Sequence, residues 1–172
     1  MNKTNFLKLL MIAGFIVVSV LVAQDLTKVF KTADNQLQIK APGDWDVLPL
    51  NDAADIQVGN EEKEQYFMLL SEKKIDMYGW NLKKHSYVTF GNLTGSLDEP
   101  KIKGPIELEI NSRPAIQYEI EGSTQGLRLV YLHTTVETDS AFNQLLAWTL
   151  RSKYSENKDI LLEVISTFGE SN

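Results

Sequence analysis

Residues 106–150 have the pattern of consecutive antiparallel strands, and this stretch constrains the fold of the chain more than any other. Apolar and polar residues alternate over residues 106–110 and again over 116–121, and Asn-Ser-Arg at 111–113 is typical of a tight turn. Successive side chains of a strand point to opposite faces, so each of these two strands has one apolar and one polar face. The pattern predicts a hairpin with one face in solvent.

The two segments that follow are apolar on both faces. Residues 127–136 place Leu129 on one face and Val130 on the other, and residues 142–150 repeat this arrangement. A strand that is apolar on both faces is typical of the middle of a sheet that is covered on both sides. The stretch therefore predicts four consecutive strands of one antiparallel sheet.

Weaker patterns on either side indicate an α+β fold. Residues 78–91 favour a first helix, although part of this segment is rich in strand formers, and residues 95–105, with two prolines, predict a loop. A closing helix is predicted from one apolar stripe, with Ser155 or Asn157 as its N-cap. Four further strands are predicted at residues 29–31, 37–40, 56–58 and 66–71. The stripe of the closing helix consists of Ile160, Leu161, Val164, Ile165 and Phe168.

The N-terminus has the pattern of an export segment. Residues 1–8 are polar and basic, and residues 9–23 form an unbroken apolar run of 15 residues. A spanning helix needs about 20 such residues, whereas the core of a signal peptide needs roughly 7 to 15. We interpret residues 1–23 as a signal peptide, with a retained N-terminal anchor as the alternative. Both interpretations predict an extracytoplasmic domain over residues 24–172, with membrane contact only through residues 9–23 if they are uncleaved.

Composition limits the possible partners. The chain has no cysteine, which excludes disulfides and thiol catalysis. Without Lys3 and Lys8, 15 of the 17 basic residues remain against 23 acidic residues, a net charge of −8. Such a surface repels phosphate backbones and anionic lipid at long range, so nucleic acid is not expected as a partner.

No catalytic motif is present, and we predict that the protein is not an enzyme. The sequence has no Gly-x-Ser-x-Gly elbow, zinc helix, phosphate loop or dinucleotide fingerprint, and no cofactor is predicted. The candidate ligand or partner contacts are Trp45, Trp80, His85 and His133. His133 lies on the Leu129 face of a buried strand and favours a core role, and His85, among lysines, is expected at the surface. The two histidines form a metal site only if the fold brings them together.

Three short segments resemble the PsbP/Mog superfamily, which includes the extrinsic photosystem II protein and many short exported bacterial proteins. Residues 37–45 (LQIKAPGDW) are similar to its opening strand and tryptophan, 109–115 (EINSRPA) to its hairpin, and 164–168 (VISTF) to its terminal helix. The chain departs from the family at Ser112, where glycine is usual, so a different hairpin turn is possible. The metal sites proposed for photosynthetic members have no counterpart that can be placed here.

The resemblance implies an α/β/α sandwich around a central antiparallel sheet of about six strands, with the C-terminal helix packed on one face. It also implies an accessory role. The leading hypothesis is a non-catalytic exported module that binds or helps to assemble another envelope or exported protein, through a sheet edge or the groove beside the first helix. The alternative is a small-ligand or metal binder with a pocket between sheet and helix near Trp45, His85 and His133.

Overall fold

The computed structural model describes residues 25–171, which form two antiparallel sheets and two α-helices. The segment interpreted as a signal peptide or anchor lies outside the described residues. The strands are β1 Lys28–Lys31, β2 Leu37–Ala41, β3 Asp46–Val47, β4 Ile56–Asn60, β5 Gln65–Lys73, β6 Asp98–Ile110, β7 Arg113–Thr124, β8 Leu127–Glu137, β9 Ala141–Leu150 and β10 Gly169–Glu170. The helices are α1 Leu82–Gly95 and α2 Tyr154–Ser166.

The elements stack in three layers. The central sheet has seven strands in the order β3-β4-β5-β9-β8-β7-β6, and a second sheet has the order β1-β2-β10. Helix α1 packs on one face of the central sheet, and α2 packs on the other face together with the small sheet. The predicted α+β sandwich with the C-terminal helix on one face is thus confirmed. Its central sheet has seven strands rather than about six, because the two-residue β3 pairs with β4.

The four consecutive strands predicted from residues 106–150 are confirmed. Strands β6 to β9 pair in chain order, each antiparallel to the next. The turn between β6 and β7 places Asn111 and Ser112 in the left-handed region, with φ of 48° and 64°. The Asn111 side chain donates to the carbonyl oxygen of Phe168 at 2.7 Å. This bond ties the hairpin turn to the segment after α2.

The central sheet has an apolar cluster on each face, as the alternation predicts. Ile116, Tyr118 and Ile120 belong to the cluster beneath α1, and Leu145 and Ala147 belong to the cluster beneath α2. Period-two alternation is a property of extended backbone, so it identifies the two faces of a strand before any neighbour is known. It does not identify which helix covers which face.

Two predicted boundaries on the α1 side are wrong. Helix α1 occupies Leu82–Gly95 rather than residues 78–91, because Gly79 has a non-helical φ of 76° and the Asn81 side chain accepts a hydrogen bond from the Lys84 amide at 2.9 Å. That bond is an N-cap and fixes the first turn. Strand β6 begins at Asp98, inside the predicted loop over 95–105. Prolines are tolerated there because β6 is an edge strand with two register shifts.

The closing helix forms as predicted, but its cap does not. Lys153 occupies the N-cap position in a helical conformation without a side-chain cap bond, because a 3-10 turn over Arg151–Lys153 leads directly into α2. Ser155 is exposed and Asn157 is buried in the core. Across residues 25–171, neither helix combines the length and apolar character needed to span a bilayer.

Candidate functional site

The central sheet separates the four residues singled out as candidate contacts. Trp45 lies in the cluster beneath α2, whereas His85 lies on the α1 side, where its ring is 6.1 Å from that of Trp80. His133 is also on the α1 side. The expected pocket near Trp45 and both histidines therefore does not form. As ligand or partner contacts these residues remain a prediction, and among them only Trp80 reaches solvent.

Trp45 is held in a buried chain of side-chain hydrogen bonds. Its indole nitrogen donates to Gln65 Oε1 at 3.0 Å, and Gln65 Nε2 donates to Asn157 Oδ1 at 2.9 Å. Asn157 Nδ2 in turn donates to Lys63 O at 2.8 Å and to Thr149 Oγ1 at 2.9 Å. Every side-chain polar group in this series of hydrogen bonds has a partner, as is usual for buried polar groups. The arrangement fixes the position of α2 against the sheet.

His85 is fully buried, so the expectation of a surface position is wrong. With α1 beginning at Leu82, the helix directs positions 85, 86 and 89 toward the sheet. His85 Nε2 lies 2.6 Å from Glu72 Oε2, and its ring stacks on Phe142 with 4.9 Å between centroids. The expectation rested on the adjacent lysines. The sequence does not give the phase of the helix, so it could not show that position 85 faces inward.

His133 is fully buried, in agreement with its predicted place in a core strand. Its Nε2 lies 3.1 Å from Thr89 Oγ1, whose hydroxyl donates to the His85 carbonyl oxygen at 3.0 Å. The hydroxyl therefore accepts from the His133 Nε2–H group. Burial, with a smaller contribution from the nearby His85, lowers the pKa of His133 to about 4. The ring is neutral at pH 7.

The fold brings the two histidines near each other without forming a metal centre. Their Nδ1 atoms are buried and have no hydrogen-bond partner within residues 25–171. In the same part of the chain, no cluster of three or more His, Asp or Glu side chains is placed to hold a metal ion. The polar groups of α1 and β8 therefore lie in the buried interface between the helix and the sheet.

Two grooves open beside the segment that connects β5 with α1. The larger, which we call the end groove, has a volume of about 870 Å³ and lies between the β1–β2 turn, the end of β5 and the β8–β9 turn. Asp34 at this groove has a lowered pKa because Thr32 Oγ1 and the Gln36 amide donate hydrogen bonds to its carboxylate. The groove is rich in hydroxyl, amide and carboxylate groups.

The second groove, which we call the helix groove, has a volume of about 580 Å³ and lies between the start of α1 and strands β6 and β7. Lys83 Nζ is 2.8 Å from Glu107 Oε1, and this contact raises the pKa of Lys83. Its apolar lining residues are Leu82, Leu108, Pro114, Ala115 and Ile116. Its acidic lining residues are Glu107, Glu109 and Glu137. The alternation in the sequence identified the two faces of β6. It did not show that the start of α1 lies beside this strand.

The two edges of the central sheet are protected against addition of another strand. Strand β3 has only two residues. Strand β6 has 13 residues, but Pro100 and Pro105 lack amide hydrogens and two register shifts interrupt its pairing. Prolines, bulges and short edge strands are features that prevent edge pairing. Of the two binding places predicted for a partner protein, the groove beside the first helix is thus the better formed.

These layers and grooves define a class: an α+β sandwich that offers open grooves and, within residues 25–171, no cluster of three or more side chains placed to hold a metal ion. No protein-family model matches the sequence, and no curated protein matches it. Solved structures do match: the fold is like that of PsbP, LpqN and Mog1p, in agreement with the fold that the sequence resemblance implied.

Three solved structures illustrate this likeness. LpqN of Mycobacterium tuberculosis, described as involved in cell envelope biogenesis, has a TM-score of 0.63 and 16% identity over 84% of this chain and 90% of its own. Cyanobacterial PsbP of Synechocystis has a TM-score of 0.58 and 10% identity over 83% and 91%. The Ran-binding protein Mog1p of Saccharomyces cerevisiae has a TM-score of 0.52 and 10% identity over 83% and 94%. At these identities the likeness establishes the fold alone.

Proposed function

We propose that this protein is a non-catalytic exported module that binds another envelope or exported protein in the helix groove. The observation that carries the proposal is that apolar and acidic residues line the same open groove. Leu108 is half-buried, and its sequence neighbours Glu107 and Glu109 are exposed. Such a groove fits a partner segment that carries an apolar anchor flanked by lysine or arginine.

The fold neighbours support a binding role. Mog1p is described as binding Ran, and LpqN is described as acting in cell envelope biogenesis. The interpretation of residues 1–23 as an export segment supports a location outside the cytoplasm. The histidines support a non-enzymatic role, because His85 and His133 are fully buried and His133 is neutral at pH 7 with Thr89 as its partner. Neither offers a solvent-facing base for general catalysis.

Capture of the partner tests this function. Residues 24–172 would be immobilised and incubated with an envelope extract of the host, and retained proteins identified by mass spectrometry. Binding of the purified partner would then be measured by calorimetry with E107K and E109K, two charge reversals among the residues that line the groove. Each variant is expected to weaken binding by up to about fivefold, since an exposed ion pair contributes about 0.2–1 kcal/mol.

Charge reversals at Glu61 and Glu62 provide the matched control. Both residues are exposed in the β4–β5 turn, outside the helix groove. E61K and E62K are expected to bind the partner like the unsubstituted protein. If all four variants bind equally well, the partner does not occupy the helix groove. If no protein is retained, the assembly role loses its support.

The end groove favours a second candidate function, a small-ligand binder. Its volume of about 870 Å³ falls within the range of drug-sized ligand sites, roughly 300–1,000 Å³. Ala33 is exposed and lines the groove, so Ala33→Trp would fill it, while Ala53→Trp at an exposed site elsewhere is the control. A metabolite that raises the thermal midpoint of the unsubstituted protein and of A53W, but not of A33W, would establish this function. If A33W responds like the other two, the ligand does not bind in the end groove.

A further inference from the structure

The segment between β5 and α1 exposes large apolar side chains on an ordered backbone. We call residues 73–84 the lysine loop. Ile75 is 87% exposed and Tyr78 is 99% exposed. The amides of Met77 and Trp80 each donate a hydrogen bond to the carbonyl oxygen three positions earlier, at 3.1 and 3.0 Å. The loop is therefore held in shape while its largest apolar side chains face solvent.

The same loop concentrates positive charge on an otherwise acidic domain. It contains Lys73, Lys74, Lys83 and Lys84 and one acid, Asp76, for a net charge of +3. Since the predicted mature chain has a net charge of −8, the remainder of the domain has −11. In space, Lys74 and Lys83 form ion pairs with Glu137 and Glu107, so Lys73 and Lys84 are the loop lysines without an ion pair among the described residues.

The lysines flank the apolar side chains on both sides along the chain. Lys73 and Lys84 are exposed, and Lys84 Nζ lies 4.8 Å from the centroid of the Trp80 ring. Lys83 is 75% exposed in its side chain. Tyr87, which is 69% exposed, is four residues after Lys83 and extends the same helix face. The loop therefore presents aromatic and aliphatic groups together with two exposed lysines that form no ion pair among the described residues, Lys73 and Lys84.

We propose that the lysine loop docks on the surface of an anionic lipid bilayer. Tyr and Trp side chains favour the headgroup region, and lysines place their stems along apolar surface while their ammonium groups reach the phosphates. Protein interfaces, by contrast, are depleted in lysine and enriched in arginine. The loop has four lysines and no arginine. Its composition matches a lipid surface better than a protein surface.

The acidic remainder of the domain does not prevent this contact. At physiological ionic strength the Debye length is about 8 Å, so charges farther from the bilayer are largely screened. Each lysine near an anionic surface contributes about 1 kcal/mol, equivalent to about a fivefold change in the partition coefficient. The charge of the lysine loop therefore determines whether the domain binds the bilayer. The net charge of the domain affects only how often it approaches the bilayer from a distance.

Vesicle sedimentation tests the proposal. The protein would comprise residues 24–172, because every helix, strand and apolar cluster described above lies within 25–171, and the apolar run at 9–23 would itself bind lipid. Binding is expected to phosphatidylcholine vesicles that contain phosphatidylglycerol, to weaken with added salt, and to be absent without phosphatidylglycerol. K73Q/K84Q is expected to weaken binding by about 30-fold, and I75S/Y78S by about tenfold.

The control is V47S/L127S, which removes two exposed apolar side chains outside the loop. This variant is expected to bind vesicles as strongly as the unsubstituted protein. Only variants whose thermal midpoint equals that of the unsubstituted protein are compared. Failure of the unsubstituted protein to bind the anionic vesicles overturns the proposal. Equal weakening by the control also overturns it, because binding would then not depend on the loop.

Lipid docking and partner binding use adjoining surfaces, since Asn81, Leu82 and Lys83 of the lysine loop also line the helix groove. If I75S/Y78S abolishes capture of a protein partner while binding of anionic vesicles is unchanged, the loop is a protein contact and the lipid proposal is wrong. If E109K weakens partner binding and leaves vesicle binding intact, both proposals stand. Failure of either one is therefore distinguishable from failure of the other.

Discussion

At the scale of single residues, the two faces of the central sheet bury polar side chains in different ways. Beneath α2, Asn157 satisfies its amide group completely, with bonds to Gln65, Lys63 and Thr149. Beneath α1, His133 uses one ring nitrogen and leaves the other without a partner among the described residues. The first arrangement stabilises the fold at any pH, whereas the second makes stability depend on pH.

Stability is expected to fall as pH decreases from about 6.5 toward 4. The unfolded chain protonates His133 near its ordinary pKa of 6.5, whereas burial keeps the folded ring neutral down to a pKa of about 4. The unfolded state therefore binds the extra proton, which lowers the free energy of unfolding by about 3 kcal/mol at most. Urea unfolding at pH 7 and pH 4.5 measures this difference. In H133Q the free energy of unfolding is expected to depend less on pH. A pH dependence equal to that of the unsubstituted protein would exclude His133 as the source of the effect.

Removal of the Asn157 amide is expected to destabilise the protein strongly. N157A leaves Gln65 Nε2 and Thr149 Oγ1 without the partners they have in the core, and each such group costs roughly 1–3 kcal/mol. Ser155, two residues earlier, is exposed and does not cap the helix. S155A is therefore expected to change the free energy of unfolding by less than about 0.5 kcal/mol. Equal effects of the two substitutions in urea unfolding would contradict this assignment.

At the scale of elements, backbone proximity limits which side chains a strand accepts. Gly59 in β4 faces Tyr66 of β5, and a Cβ atom at position 59 would lie 2.3 Å from the Gln65 carbonyl oxygen. Backbone cannot move away without disturbing the ladder. In α1, by contrast, a Cβ atom at Gly91 would meet no atom within 4 Å. Gly59 is therefore required by the close packing of β4 and β5, whereas the space around Gly91 would accept a larger side chain.

These glycines give a matched pair of substitutions. G59A is expected to destabilise the protein by about 3 kcal/mol, because the new methyl group overlaps backbone. G91A is expected to stabilise it by about 0.5–1 kcal/mol, because alanine loses less backbone entropy than glycine in a helix. Thermal and urea unfolding of both variants measure these changes. A neutral G59A would show that β4 and β5 are farther apart than the structure places them.

Glu119 illustrates how one residue connects several elements. Partial burial opposes its ionisation, but hydrogen bonds from Lys103, Tyr154 and Lys158 outweigh this effect and lower its pKa to about 2. These donors come from β6 and α2, so the carboxylate joins the edge strand and the closing helix to β7. The same contact raises the pKa of Tyr154, after burial as the main cause.

At the scale of the whole molecule, local stability should decrease from the centre of the sheet to β6. Strands β8 and β9 each pair on both sides and are covered by a helix on each face, whereas most of β6 is exposed. Amide hydrogens of β8 are expected to exchange only through global unfolding, and those of residues 98–106 through local opening. Native-state hydrogen exchange measures this order. Exchange of β6 as slow as that of β8 would show that the outer strand belongs to the cooperative core.

At the same scale, the lysine loop lies beside both grooves. Lys73 and Lys74 of the lysine loop line the end groove, and Lys83 lines the helix groove. A domain docked on a bilayer through this loop would hold both groove entrances near the membrane surface. This arrangement suits a module that meets its partner at an envelope membrane.

The sequence by itself determined the strands of residues 106–150, their two faces and the stripe of the closing helix. Alternation with period two and a helical stripe are local properties of backbone geometry, so they require no knowledge of neighbours. Tertiary structure alone decided that His85 is buried, that Asn157 faces the core rather than capping α2, and that the lysines lie at an exposed apolar loop. It also decided that Trp45 is separated from both histidines. Each of these depends on helix phase, strand order or contacts between residues far apart in the chain, which local periodicity does not encode.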